Sequence, residues 1–335
     1  MAIYRCNKCG FICEDPLAAQ GAQVPCGKCG TTSTFFLAVF YVRQLVARYL
    51  AACRELEVLK QGEAHPQQDV PLPSAAAPAP IETALLNDLQ NTKVLATAAQ
   101  HKPLQEWFLS KQISAKFDFS FVDTTGFFDE AAKGIGDQYQ LLSASIEQIR
   151  YAYRKDFAWV NLDLSKKDPA DAQVIKAFFR GLYSQTFFSH YAYQQDKKVV
   201  RLVLQPAAVI RSFFAGTWLE WYAFIIILNL CVERSRAFSC ARSVKIEFRD
   251  DQSRELDVAF LIDGRDPIFI ECKTGEFRGD IAKHVKFRRR LGVDRTRYMI
   301  LSTELTAEEA VGLTAMYDLT FVNLDALENH VKALI

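Results

Sequence analysis

No charge of one sign prevails in this chain: 40 Lys and Arg stand against 39 Asp and Glu, a formal net charge of +1 over 335 residues. That balance excludes a polycation that coats nucleic acid or membrane along its whole length, so any polyanion must be met by a local basic patch. Long apolar runs are also missing. The most apolar stretch, Phe213 to Val232, contains Glu220, and its uncharged part from Trp221 to Val232 is 12 residues long. A bilayer span takes roughly 20, so the stretch reads as a buried core helix and no membrane partner is expected. There is no Gly-rich phosphate loop and no internal repeat, and the three methionines mark nothing. The opening MAIYRCNKCG has no apolar signal-peptide core, and the nine cysteines are an odd number. Both speak for a reducing, cytoplasmic setting against a secreted disulfide scaffold. What is present, 50% apolar and 24% charged residues, excludes a disordered chain and suffices for two or three domains with buried cores.

Composition shifts divide the chain into residues 1–34, which hold five of the nine cysteines, a helical stretch over 35–60 after a short strand, and a linker over 61–81 with five of the eleven prolines. No periodic apolar face can be built in that linker. Residues 82–206 form a mixed region, with helical runs at Thr83 to Ala99 and Asp129 to Ala152, strands at Phe157 to Ser165 and Val199 to Leu204, and a helix opened by Asp168-Pro169. Phe117, Phe119 and Phe121 alternate with polar residues as in a half-buried strand. Over 207–335, strands at Val244 to Phe248, Glu255 to Ile262 and Pro267 to Lys273 precede a helix (Asp280 to Leu291), a strand (Arg297 to Ser302), a helix (Ala307 to Tyr317) and a strand (Thr320 to Asn323). This order predicts an α/β fold with a mixed sheet flanked by helices.

The pairs Cys6-x-x-Cys9 and Cys26-x-x-Cys29, each followed by Gly, have the spacing of a four-sulfur metal site. Each Cys-x-x-Cys turn points two thiolates at one ion, and two turns complete a tetrahedron. The ligand set suits Zn2+, and a rubredoxin-like iron site shares it. Cys13 is surplus. The segment YRCNKCGF to VPCGKCGTT resembles a zinc ribbon, which implies a structural ion, since a closed four-sulfur site leaves no position for substrate.

Further on, Asp257, Glu271 and Lys273 interrupt apolar strands where ionised groups are costly unless paired or holding a metal. Glu271 and Lys273 are two apart and share a face, while Cys272 points away and offers its backbone carbonyl. If Asp257 opposes Glu271 in an antiparallel pair, Leu261 opposes Pro267 and the turn encloses Ile262 to Asp266. Two carboxylates and a carbonyl are hard oxygen ligands for Mg2+ or Mn2+, and a lysine beside them can orient the attacking water and offset phosphate charge.

An Asp, then a strand later Glu-x-Lys, after a helix bearing an acidic residue, resembles the PD-(D/E)xK nuclease superfamily. The text GTWLEWY, ELDVAFLI and PIFIECKTGEF is similar to the nuclease domains of CARF-linked CRISPR ancillary nucleases. The resemblance runs from about Phe213 to the C-terminus, and Leu256 replaces the proline of the motif. It implies a restriction-endonuclease-like fold, Asp257 and Glu271 as metal ligands, Lys273 as the catalytic lysine, Glu220 as the helix acid, a homodimer and a role in defence against phage or plasmids. In that family a cyclic oligoadenylate sensor precedes the nuclease, and no complete Rossmann-like sensor can be traced between Ile81 and Gln205. Arg278 to Arg297 carries eight Lys and Arg against two Asp, a stretch suited to tracking a phosphate backbone, with Lys283 and Arg288 as the contacts. His284 reads as structural or phosphate-contacting, and Trp218, Trp221, Tyr222 and Phe224 as core. The expectation is a metal-dependent nuclease with a structural zinc ribbon, acting on DNA in preference to RNA. The alternative is a non-catalytic nucleic-acid-binding or regulatory protein.

Overall fold

The computed structural model describes residues 2–6, 11–15, 19, 22–37, 92–248 and 253–335. Cys9, the predicted linker, most of the helix predicted over 35–60 and the start of the run predicted from Thr83 lie outside the described residues. The chain forms two compact units, Met1–Ala76 and Ala77–Ile335.

In the first unit, strand β1 (Ala2–Arg5) pairs antiparallel with β2 (Ile12–Asp15). A second hairpin joins β3 (Gln23–Pro25) to β4 (Thr32–Thr34), and the short β5 (Phe36–Leu37) returns along β1. The buried core is Ala2, Tyr4, Cys6, Cys26 and Phe35. Tyr4 meets Phe35 edge-on at 5.1 Å, and its hydroxyl accepts a hydrogen bond from the Gly27 amide at 3.0 Å, tying the two hairpins together. Among the described residues these five side chains form a small core, the size at which a metal cross-link adds most to stability.

The second unit opens with α1 (Ala98–Ser110), capped by Thr97, whose side chain accepts the Gln100 amide. Residues 92–97 are not helical, so the helix begins close to where the predicted run ends. After it come β6 (Ser114–Lys116), α2 (Phe128–Asp137), α3 (Tyr139–Arg154), β7 (Trp159–Asp163), α4 (Pro169–Ser184), β8 (Phe188–Gln194) and β9 (Val199–Leu204). Then follow α5 (Ala208–Ser212), α6 (Trp218–Glu233), β10 (Phe238–Glu247), β11 (Ser253–Ile262), β12 (Ile268–Lys273), α7 (Ile281–Leu291), β13 (Tyr298–Ser302), α8 (Ala307–Met316), β14 (Thr320–Val322) and α9 (Leu324–Lys332). Six strands form one mixed sheet in the order β14-β13-β12-β11-β10-β6, with β12, β13 and β14 parallel and the others antiparallel. The sheet thus draws a strand from before residue 206. A smaller sheet, β7-β9-β8, is antiparallel throughout its pairings, unlike the parallel sheet of a Rossmann-like sensor.

Alternation along the strands feeds two cores. Val258, Phe260, Ile268, Ile270, Met299 and Leu301 join α6 and α9 on one face. Ala259, Leu261, Phe269, Tyr298 and Ile300 meet α1, α7 and α8 on the other. The mixed α/β architecture with helices on both faces is therefore present. Helix α6 is buried at nearly every position from Trp218 to Cys231. By length and composition alone the run Ala208–Glu233 could cross a membrane, yet 67% of its most apolar window is covered by the fold.

Two local expectations are corrected. Phe119 and Phe121 lie in a 3-10 turn, Phe119–Val122, and not in a strand, because Asp118 accepts hydrogen bonds from the Ser120 amide (3.0 Å) and hydroxyl (2.6 Å) and bends the chain. The single helix expected over Asp129 to Ala152 breaks at Gln138 into α2 and α3. There α2 lies so close to α6 that a Cβ on Gly136 would sit 2.2 Å from the Tyr222 ring. Strand β8 and helix α9 had no sequence expectation at all.

Candidate active site and cysteine cluster

The first unit brings Cys6, Cys26 and Cys29 together, their sulfurs all within 4.8 Å of one another and Cys6 Sγ 3.4 Å from Cys29 Sγ. The turn after Cys26 builds this: the Gly30 amide donates to the Cys26 carbonyl at 2.8 Å, and the Lys28 amide donates to Cys26 Sγ at 3.4 Å. Such amide-to-sulfur bonds stabilise thiolate, the form that ligates. Gly30 takes φ +72°, a left-handed turn that suits glycine. Three converging soft donors fit a tetrahedral metal ion whose fourth ligand comes from elsewhere; Cys9, the sequence candidate for it, lies outside the described residues. Cys13 sits on β2 with its sulfur toward the Glu14 carbonyl, apart from the cluster.

In the second unit, the Asp263-Gly264 turn closes the β11–β12 hairpin. Both residues are left-handed (φ 51° and 67°), and the Arg265 amide returns to the Ile262 carbonyl at 3.0 Å, as in a type I′ turn. Beyond it Phe260 opposes Ile268, Ala259 opposes Phe269 and Val258 opposes Ile270, one residue further along β12 than the two-residue turn alone would set, so an extra residue lies on the β12 side. That register sets Asp257 across from Glu271, but the ladder stops one pair earlier. Beyond Val258 the strands part, and the Cys272 amide donates to Asp257 Oδ2 at 2.7 Å in place of a backbone carbonyl. The break has a visible cause. Leu256 and Ala259 share a core face although three residues apart, as do Ala241 and Val244 on β10. Between them Ser243 is left-handed (φ 48°) opposite Asp257, and neither joins the ladder. An irregularity of this kind re-aims a side chain at the rim of a sheet.

Glu271 is 4% exposed. Its Oε2 lies 3.4 Å from Lys273 Nζ and 4.0 Å from His284 Nδ1, and its Oε1 is buried with no hydrogen-bond partner. Burial and the neighbouring Asp257 charge push its pKa up to about 8, with Lys273 opposing them. Asp257 is raised for the same first reason, burial, against the pull of Lys273 and the Cys272 amide. Lys273 is held above its ordinary value: burial works against its charge, but Glu271 and Asp257 outweigh it. A buried pair of carboxylates with one lysine and a spare acceptor lacks positive charge, a deficit that a divalent cation would fill.

Tyr298 was missed in the sequence. Its hydroxyl lies 3.1 Å from His284 Nδ1 and near enough to Glu271 to lower that carboxyl's pKa. His284 is buried, its pKa pushed down to about 4 by burial and then by Lys273, so the ring is neutral at pH 7. Nothing in the text RTRYMILS marks this tyrosine, because its approach to Glu271 depends on the parallel pairing of β12 with β13.

Glu220, at the start of α6, pairs with Arg242 (Oε2 to Nη2, 3.0 Å) and lies 3.5 Å from the Ser243 hydroxyl. Burial raises its pKa to about 7, Arg242 opposes, and Asp257 adds to the rise. Asp257 thus stands between two groups, Glu271 with Lys273 and Glu220 with Arg242. Arg242, 5% exposed, lies 3.9 Å over the Trp221 ring and donates to the Phe121 carbonyl at 3.0 Å. An arginine inside the apolar strand FSCARSVKIE is the same kind of anomaly that marked Asp257.

The basic stretch divides. Lys283, Lys286 and Arg289 are exposed on α7, Lys283 ion-paired with Asp280. Arg288 is not part of that face. It donates to the Val293 carbonyl at 2.7 Å and pairs with Asp318, joining α7 to the turn before β14. Arg290 and Arg254 lie over the rings of Phe248 (3.8 Å) and Phe287 (5.6 Å), at one end of the same helix.

No family model matches the chain and no curated protein matches it at a significant level. Among solved structures it is similar to protein VC1899 from Vibrio cholerae, with 16% identity and a TM-score of 0.47 over 69% of this chain and 60% of that one. It is also similar to Can2 from Sulfobacillus thermosulfidooxidans, solved in complex with cyclic tetra-adenylate, with 14% identity and a TM-score of 0.48 over 69% of this chain and 59% of that one. The chain therefore matches less than two thirds of the length of either protein.

Proposed function

We propose that the larger unit is a metal-dependent nuclease that hydrolyses phosphodiester bonds, with DNA the preferred polymer and RNA the second. The observation that carries this is the convergence of Asp257, Glu271 and Lys273 where β11 and β12 part, with a buried carboxylate oxygen lacking any partner. Asp257, Glu271 and the Cys272 carbonyl would hold Mg2+ or Mn2+. When bound, such an ion acidifies water and neutralises charge developing on the phosphoryl group. The chain's own residues do the rest. Lys273, kept protonated by the two carboxylates, sits where it can hold an anionic phosphate oxygen and orient the attacking water. The Tyr298 hydroxyl beside Glu271 favours the ionised carboxylate, and the neutral His284 supports Tyr298 without taking a proton at pH 7. Glu220 stands behind Asp257, with Arg242 as its counter-charge. The exposed cations of α7, Lys283 among them, supply salt-dependent affinity for the backbone. Arg288 is left to its structural contacts.

In the smaller unit the cysteine cluster holds a structural ion, Zn2+ by preference. The motif resemblance adds a defence role and a homodimer, and the cysteine usage adds a cytoplasmic setting. The test is incubation with supercoiled plasmid, single-stranded DNA and RNA in Mn2+, Mg2+ or EDTA, beside Lys273→Ala. Cutting that needs metal and disappears in the variant supports the reading. Binding without cutting in every condition overturns it.

A further inference from the structure

Beside the candidate site, and outside the set of residues that would hold the metal, lies a cavity of about 690 Å3 lined from α2, α3 and the ends of β13 and β14. Its position follows from the sheet. Strands β12, β13 and β14 are parallel, so their C-terminal ends come to one edge, where α/β sheets receive ligands. Lys273 ends β12 and pairs with Ser302, which ends β13, and the Thr303 amide donates to the Lys273 carbonyl at 3.2 Å. Ser302 and Thr303 line the cavity. One wall therefore begins a single strand, about 4.8 Å, from the lysine.

The lining chemistry differs from that of a phosphate site. No Lys or Arg is among the lining residues, while Asp325 is, as is Asp137 with its charge paired to Lys133, together with the amides of Gln138 and Asn323 and the hydroxyl of Tyr139. A phosphate would be repelled there; a neutral group with several donors and acceptors would be welcomed. Tyr139 supplies a flat wall. It is stacked on Trp218 with centroids 5.4 Å apart and planes at 23°, so its ring is held from behind. Asn323 is fixed too: its Oδ1 accepts the Ala326 amide at 3.0 Å, which leaves its amino group to donate to a ligand.

A stacking ring, amides and acidic acceptors beside a phosphodiester site are the elements with which proteins read an unpaired base. We propose that this cavity is a nucleobase subsite, which takes one unpaired base next to the scissile phosphate and gives the enzyme a base preference. The inference rests on the nuclease reading, and its test is separable from it. A fluorescent single-stranded oligonucleotide is titrated into Lys273→Ala protein in EDTA, so that nothing is cut, and one abasic residue is moved through the strand. At one position the missing base should weaken binding about tenfold, the scale of one aromatic stack. That loss should persist with Tyr139→Phe and vanish with Tyr139→Ala. In the cutting enzyme, Gln138→Leu and Asn323→Asp, the latter keeping the cap acceptor, should raise KM and flatten base preference at the cut with kcat nearly unchanged. A uniform abasic scan, or an unaltered base preference in these variants, overturns the subsite. Failure of the wild type to cut any polymer overturns the nuclease reading instead, and the abasic scan still decides the cavity.

Discussion

The two units gather candidate metal ligands in opposite ways. In Met1–Ala76, sulfur atoms from two hairpins meet beside a core that, among the described residues, has five buried side chains, and the candidate ligands Cys6 and Cys26 are themselves members of it. In Ala77–Ile335, carboxylates sit at the edge of two extensive apolar cores that would exist without them. An ion in the first unit would bind through side chains of the described core and so be part of folding. An ion in the second would relieve a charge imbalance that the fold maintains at some cost. Removing ligands should therefore unfold the first unit and leave the second standing.

The largest expected effect is that of Cys26→Ser. Structural zinc contributes on the order of 10 kcal/mol in small modules, so bound metal per chain should fall and hydrogen exchange over residues 2–37 become unprotected. Exchange in the β10–β12 strands should not change; if it did, the two units would not be independent. Next is Arg242→Ala, which strands the buried Glu220 and should cost about 3–5 kcal/mol in urea unfolding, much of it restored by adding Glu220→Gln. Lys273→Ala and Glu271→Ala should each lower cleavage by at least about 10² to 10³-fold with no loss of melting temperature. A fall in both together would make the trio structural.

Two smaller effects sharpen the contrast. Tyr298→Phe keeps the ring but removes the hydroxyl beside Glu271, and should weaken Mn2+ binding, measured by calorimetry, by about tenfold while thermal stability holds. The last concerns pH. Because Glu271 is raised to about 8 in the folded chain, its contribution is complete below the ordinary carboxylate range and is lost as pH rises toward that value. In EDTA the melting temperature of the larger unit should fall between about pH 5 and pH 8.5, and Glu271→Gln should flatten that slope. A melting temperature that rises over the same range would mean that Glu271 is ionised and paired in the folded state.

Much of this was legible before any coordinates. Apolar runs interrupted by three charges placed β11 and β12, their turn was bounded at Ile262 to Asp266, and the register in which Asp257 would oppose Glu271 is the one that Val258 and Ile270 show. Pro169 opens α4 as a proline at the first helical position should. Other features had no local signal. Arg288 has the same sequence signature as the exposed cations around it, and only its burial against the Val293 carbonyl makes it structural, since the exposed Arg289 reaches Asp318 as well. Phe119 and Phe121 alternate like strand residues, yet one aspartate hydrogen-bonding two residues ahead overrides that pattern.

By itself the sequence determined which segments alternate, which turns close them, and which buried charges demand a partner, because those are properties of neighbours along the chain. Tertiary structure alone decided that Tyr298 meets Glu271, that Arg242 answers Glu220, and that a polar cavity opens beside Lys273. Each of these joins segments far apart in sequence through parallel strand order and helix packing, and pairing of that kind is settled only when the whole sheet assembles.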